Sequence, residues 1–201
     1  MSTDQTRGTQ WRMFCAFELP ESLRVRIKEH AEGLREAVPD VAASWSRPEN
    51  IHLTMKFFGN VDQAQVAVIS DMLARVAKEF SPVEITVDGT GVFPRPSRPQ
   101  VLWIGIDDRT GALARLQKRV EDECALEGFP KEDRAFRPHL TIARIRTPHN
   151  AHRLAEAHLR LEFVSVAVNL SELVLFRSEL SPKGSRYTPK AIHRLDRQQS
   201  G

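Results

Sequence analysis

His52 and His139 open two copies of one tripeptide, His-Leu-Thr, in the runs Ile51-His52-Leu53-Thr54-Met55-Lys56-Phe57-Phe58-Gly59 and Arg137-Pro138-His139-Leu140-Thr141-Ile142-Ala143-Arg144. An imidazole gives or takes a proton near neutrality, and a threonine hydroxyl donates to a phosphate oxygen. Two of each around one volume would supply an acid, a base and two oxygen-binding donors for a phosphate, with no metal required. A lone histidine in a strand is more often an ordinary hydrogen-bonded ring. Here the same tripeptide occurs twice among seven histidines, with threonine at the same spacing, and that favours function.

The spacing carries the geometric part of the reading. Both tripeptides sit in β-branched and apolar runs bounded by Pro, Asn or Gly, as short strands do. Alternation puts His52 with Thr54, and His139 with Thr141, on one face, while Leu53, Met55 and Phe57, or Leu140 and Ile142, anchor the other. Lys56 shares the parity of His52 and Thr54, which makes it a candidate phosphate ligand. Arg144 has the parity of Leu140 and Ile142, so it reaches a cleft only round the strand end or past a bulge. Arg137 has the right parity but precedes Pro138. Phe58, Phe129, Phe136 and Tyr187 could stack on a base or belong to the core.

Those strands need a scaffold, and the chain is long enough to give one. Its 201 residues, 41% hydrophobic, can bury a core as one two-lobed domain over residues 11–196, with polar tails at 1–10 and 197–201. Lys+Arg number 29 against 26 Asp+Glu, a net charge of +3 that argues only weakly for a polyanionic partner. Most of the cations are arginine, the better bidentate phosphate ligand. Cys15 and Cys124 match no metal or disulfide spacing, and no apolar run approaches a membrane span. A soluble, cytoplasmic protein without metal or cofactor is expected.

Along the chain, residues 12–19 read as a buried strand, and Pro20 opens a helix carrying Leu23, Ile27 and Leu34. A short strand at 43–46 leads to the first His-Leu-Thr strand. Asp62 caps a helix with Val66, Ile69, Leu73 and Val76 inward. A strand at 83–89, a Pro- and Arg-rich loop at 93–100 and a strand at 101–106 follow. A helix at 110–127 and a charged loop precede the second motif strand. A short helix at 150–158, strands at 162–168 and 171–177, and a last strand at 186–193 complete the chain. The order reads as two similar α+β halves, each contributing one motif strand, with helices on the outer faces.

The paired motifs resemble the two HxTx motifs of the two-histidine phosphoesterase superfamily, in its RNA 2′,3′-cyclic phosphodiesterase (LigT-like, "2′-5′ RNA ligase") branch. The likeness extends to Pro48-Glu49-Asn50, Lys56-Phe57-Phe58-Gly59, Val101-Leu102-Trp103, Gly128-Phe129-Pro130, Phe136-Arg137-Pro138 and Arg177-Ser178-Glu179-Leu180. It implies a bilobal α+β fold with a central cleft and metal-independent hydrolysis of RNA 2′,3′-cyclic phosphate ends to 2′-phosphates. On that model His52 is the proton donor and His139 the proton acceptor. Thr54 and Thr141 hold phosphate oxygens, and an arginine at the position of Arg144 belongs to the site. Three other readings stay open: 2′-5′ ligation by the reverse reaction, a small cyclic-nucleotide phosphodiesterase, and a non-catalytic RNA-binding module. A monomer that needs no protein partner follows from a fold that completes its own site.

Overall fold

The computed structural model describes residues 10–181 and 184–196; the expected tails, residue 10 apart, lie outside them. β1 (Trp11–Glu18) is apolar almost throughout, and Met13 to Phe17 are all buried, so it runs through the middle of a sheet covered on both faces. Pro20 sits at the N-cap of α1 (Glu21–Ala37), whose Leu23, Ile27 and Leu34 recur at helical spacing and are buried. α2 (Gln63–Ala77) begins in a capping box, with the Gln65 N–H donating to Asp62 Oδ1 at 2.8 Å and the Asp62 N–H donating to Gln65 Oε1 at 3.0 Å. α3 (Ala112–Leu126) and α4 (Ala151–Arg160) bury Leu113, Leu116 and Val120, and Leu154 and Ala155.

The remaining strands are β2 (Ala43–Trp45), β3 (His52–Val61), β4 (Val83–Arg95), β5 (Arg98–Asp107), β6 (His139–Ile145), β7 (Val166–Leu170), β8 (Glu172–Ser181) and β9 (Gly184–Arg194). They form two antiparallel sheets, ordered β3-β1-β8-β9 and β2-β6-β5-β4-β7. α2 packs on the first sheet, α4 on the second, and α3 against β3 and β4. One continuous apolar core runs through both sheets, from Met13 and Leu53 to Leu102 and Leu140.

The architecture is the expected α+β one, with each sheet carrying one motif strand. The sheets do not follow the chain halves, however. β2 crosses to the second sheet, and β8 and β9 return to finish the first. The expected loop at 93–100 is instead the end of a long β4–β5 hairpin, paired as Phe93 with Val101, Pro94 with Pro99 and Arg95 with Arg98. Pro94 and Pro99 face each other, so neither offers an N–H where the ladder would use one. β7 starts at Val166, later than the expected 162.

Two histidines that repeat no motif tie α1 to α4. His30 Nε2 and His158 Nδ1 lie 3.2 Å apart, and His158 Nε2 lies 3.0 Å from the Trp103 carbonyl oxygen. A carbonyl only accepts, so His158 donates from Nε2, accepts at Nδ1, and His30 donates to it. Burial lowers the pKa of both, that of His30 to about 4 from 6.5. A group neutral when folded and protonated when unfolded stabilises fully above pH 6.5 and progressively less as pH falls toward 4. Urea midpoints are therefore expected to drop across that window. The drop should be shallower in His30→Leu/His158→Leu; an unchanged slope would show that the pair does not titrate with unfolding.

Candidate functional site

In β3 the burial pattern alternates from His52 to Met55 and then breaks. Leu53, Met55 and Lys56 are buried, His52 and Thr54 half-buried, and Phe57 is 57% exposed. The break is a bulge. Ala16 pairs with Thr54 and Cys15 with Lys56, which leaves Met55 as the extra residue. One added residue inverts the parity of the residues that follow it, here Lys56 and Phe57, up to a second register shift that leaves Phe58 as another extra residue.

β6 repeats the device. Trp103 pairs with Thr141 and Leu102 with Ala143, so Ile142 is the extra residue. Leu140, Ile142 and Ala143 are buried, His139 and Thr141 half-buried, and Arg144 exposed. Arg144 consequently emerges on the face of His139 and Thr141, by the bulge that simple alternation does not anticipate. Its positive charge helps to lower the His139 pKa, behind burial as the main cause.

The same device corrects the expectation for Lys56. The bulge turns it inward, away from His52, and its side chain is 3% exposed. Its Nζ lies 2.7 Å from Glu121 Oε2 on α3 and donates to the Pro130 carbonyl at 2.8 Å. Glu121 also accepts from the Glu132 N–H at 3.1 Å and from Gln117 Nε2 at 3.2 Å. This ammonium closes a buried carboxylate and fastens the segment leading to His139 onto the strand of His52. It is not a phosphate ligand.

Both motif histidines are oriented in the same way. His52 Nδ1 lies 2.8 Å from the Asn50 carbonyl oxygen and His139 Nδ1 lies 2.7 Å from that of Arg137, each two residues upstream. The carbonyl requires a proton on Nδ1, so the neutral ring presents its lone pair at Nε2. Asn50 ends the 3-10 turn Pro48–Asn50, and its Nδ2 donates to the Ser185 carbonyl at 2.8 Å, tying the turn to β9. Ser46 Oγ donates to the Thr141 carbonyl at 2.9 Å, which ties β6 to the segment after β2. β3 and β6 belong to different sheets yet pack against each other, which brings the two motif strands together.

Aromatic rings wall both imidazoles. Phe14 stacks on His52 with centroids 4.7 Å apart, and the Tyr187 ring meets it at 85° and 5.2 Å. Phe93 meets His139 at 88° and 5.0 Å, with Trp103 behind at 6.4 Å. Gly91 leaves room for that indole, since a Cβ there would overlap the Trp103 ring. Burial lowers the His52 pKa to about 4 against the opposing pull of the Asn50 carbonyl. It lowers that of His139 likewise. Both rings are therefore neutral near pH 7. Of these walls the sequence flagged only Tyr187; Phe14 and Phe93 lie in apolar runs that look like ordinary core. Phe58 packs edge-on against Phe129 at 5.7 Å and, like Phe136, lies against the core. Among the described residues, no group of three or more His, Cys, Asp or Glu is placed to hold a metal ion.

The inward Lys56 gives a stability test. Lys56→Met should destabilise the protein by about 3–5 kcal/mol in chemical denaturation, because it strands a buried carboxylate, whereas Lys56→Met/Glu121→Leu should recover most of that loss. A single variant as stable as the parent would contradict the pairing.

Comparison with known proteins agrees with this geometry. The family model of the 2′-5′ RNA ligase superfamily matches residues 20–181. A Methanothermobacter thermautotrophicus protein named RNA 2′,3′-cyclic phosphodiesterase is 35% identical over 92% of this chain and 98% of its own. An Aquifex aeolicus protein of the same name is 34% identical over 81% and 87%. A crystal structure of a Thermus thermophilus protein superposes with a TM-score of 0.76 at 26% identity, covering 94% of this chain and 100% of that one. Escherichia coli LigT complexed with 3′-AMP shares the fold, with a TM-score of 0.72 at 23% identity over 93% and 99%. With two bulged His-x-Thr strands in packed antiparallel sheets and matches over nearly its whole length, this chain belongs to the 2′-5′ RNA ligase superfamily.

Proposed function

We propose that the protein is a metal-independent RNA 2′,3′-cyclic phosphodiesterase that leaves a 2′-phosphate. The observation that carries this reading is the matched pair of histidines. Each is held through Nδ1 by the carbonyl two residues upstream, each has threonine beside it on the same strand face, and their strands are packed together. Relatives named RNA 2′,3′-cyclic phosphodiesterase align over most of the chain.

Neutral His139 accepts a proton at Nε2 from water, and the water oxygen forms a bond to phosphorus. The bond from phosphorus to the 3′ oxygen breaks. His52, protonated at Nε2, delivers its proton to that departing oxygen. The Thr54 and Thr141 hydroxyls and the Arg144 guanidinium hold the non-bridging oxygens as charge builds on them. The free protein holds His52 neutral, so the acid has to be charged with a proton on binding. The anionic phosphodiester does this by raising the pKa of the ring it faces. The five-membered ring is strained and its leaving oxygen stays tethered, so one acid and one base suffice. The protein acts as a cytoplasmic monomer, a reading supported by two buried free cysteines and by the packing of both motif strands against each other within the chain.

His52→Ala and His139→Ala should each lower kcat by roughly 10²- to 10⁴-fold while leaving the unfolding midpoint near that of the parent. Retained turnover in either variant would remove its histidine from the mechanism. The pH profile of kcat/KM reports the free protein, in which both rings titrate below the ordinary 6.5. A bell with both limbs acidic of that value is expected, with the limbs of kcat displaced upward by the bound anion. Limbs of kcat/KM above 6.5 would contradict the neutral, walled histidines.

A further inference from the structure

We infer that the end of the β4–β5 hairpin and the adjoining face of β6 form a docking surface for the RNA strand upstream of the cyclic end. This inference rests on the proposed activity and specifies its substrate as an oligonucleotide rather than a single nucleotide.

The basis is a division in how the arginines and lysines are used. Four cations packed around α2 and α3 are neutralised by carboxylates within the protein. Arg75 pairs with Glu123 and Glu127, Arg119 with Glu79 and Glu123, and Lys118 and Lys131 both pair with Asp122. Arg95, Arg98, Arg134, Arg137, Arg144 and Arg146 are all exposed, and among the described residues none is in an ion pair with a carboxylate. Their surroundings supply little acid to pair with. The chain has no Asp or Glu between Asp88 and Asp107, nor between Asp133 and Glu156.

One pair goes against the stability of the hairpin itself. Arg95 and Arg98 are direct partners across the ladder. Like charges placed opposite each other are destabilising in a sheet. An anion between or above them would turn that cost into binding, and arginine suits phosphate oxygens best.

The surface is also continuous with the site. Arg144 and Phe93 are the two cross-strand partners of Val101, and the Phe93 ring meets His139 at 5.0 Å. Arg98 lies three residues beyond Val101, about 10 Å along β5. A 2′,3′-cyclic phosphate terminates the 3′ end of a strand, so every added nucleotide extends on the 5′ side and brings a further phosphodiester. A cyclic mononucleotide brings none. The arginines at the hairpin end therefore distinguish the two substrates by charge, whatever the bases.

The test uses the full chain and Arg95→Gln/Arg98→Gln. Turnover is measured on a 2′,3′-cyclic mononucleotide and on an octanucleotide with the same end over a range of salt. Binding of the octanucleotide ending in 2′-phosphate is followed by fluorescence anisotropy. Mononucleotide turnover should stay within about two-fold of the parent, while kcat/KM for the octanucleotide falls about tenfold, mainly through KM. The slope of log affinity against log salt should shrink by about 1–2, as expected for one or two lost phosphate contacts. Unchanged octanucleotide affinity and slope, with both substrates still hydrolysed, would overturn the docking surface and leave the proposed activity standing. A parent that hydrolyses neither substrate, yet loses octanucleotide binding with these two arginines, would do the reverse.

Discussion

Everything at the candidate site depends on one extra residue in each motif strand. A strand of strict alternation would put Lys56 beside His52 and turn Arg144 into the core. The bulges at Met55 and Ile142 invert both outcomes. They place Phe57 and Arg144, each five residues after its histidine, on the face that carries the imidazoles, and they bury Lys56 and Ala143. The two strands are thus built alike but end unlike. One offers an exposed aromatic ring after its His-x-Thr, and the other offers an exposed cation. Two strands of like construction thereby acquire chemical polarity at that position.

Burial sets the second constraint. Two histidines walled by Phe14, Tyr187, Phe93 and Trp103 and held by carbonyls cannot both carry charge cheaply before an anion arrives. The same rings that lower their pKa values fix their orientation, and the hydrogen bond at Nδ1 fixes which nitrogen is left for chemistry. The buried Lys56–Glu121 pair contributes at a distance. It joins β3, α3 and the segment at Pro130 and Glu132 that precedes Arg137, whose carbonyl orients His139. The ion pair is a mechanical link between the two motif strands.

Much of this was legible in the residues. The repeated tripeptide, its strand setting and the common face of histidine and threonine could all be read from spacing, as could the helices, whose apolar positions recur cleanly. The failures have one physical origin each. Bulges are defined by the partner strand, and no pattern within residues 52–57 or 139–144 reveals them, so Lys56 and Arg144 exchanged faces. The hairpin end at 93–100 looked like loop because its prolines and arginines disfavour strands in general. It pairs because β4 and β5 are held together by the long apolar ladder before it. Phe14 and Phe93 were invisible because an aromatic residue beside an active ring has the same sequence context as one in a core. His30 and His158 joined only when α1 and α4 packed.

The most direct measurement is the identity of the product when purified protein meets RNA ending in a 2′,3′-cyclic phosphate with excess chelator present, read by phosphorus NMR. Quantitative conversion to the 2′-phosphate, unaffected by the chelator, is expected if two positioned histidines carry out the transfer of protons. A 3′-phosphate would mean that the wrong oxygen departs. Loss of turnover on chelation, restored by a divalent cation, would mean that the histidines alone do not perform the reaction.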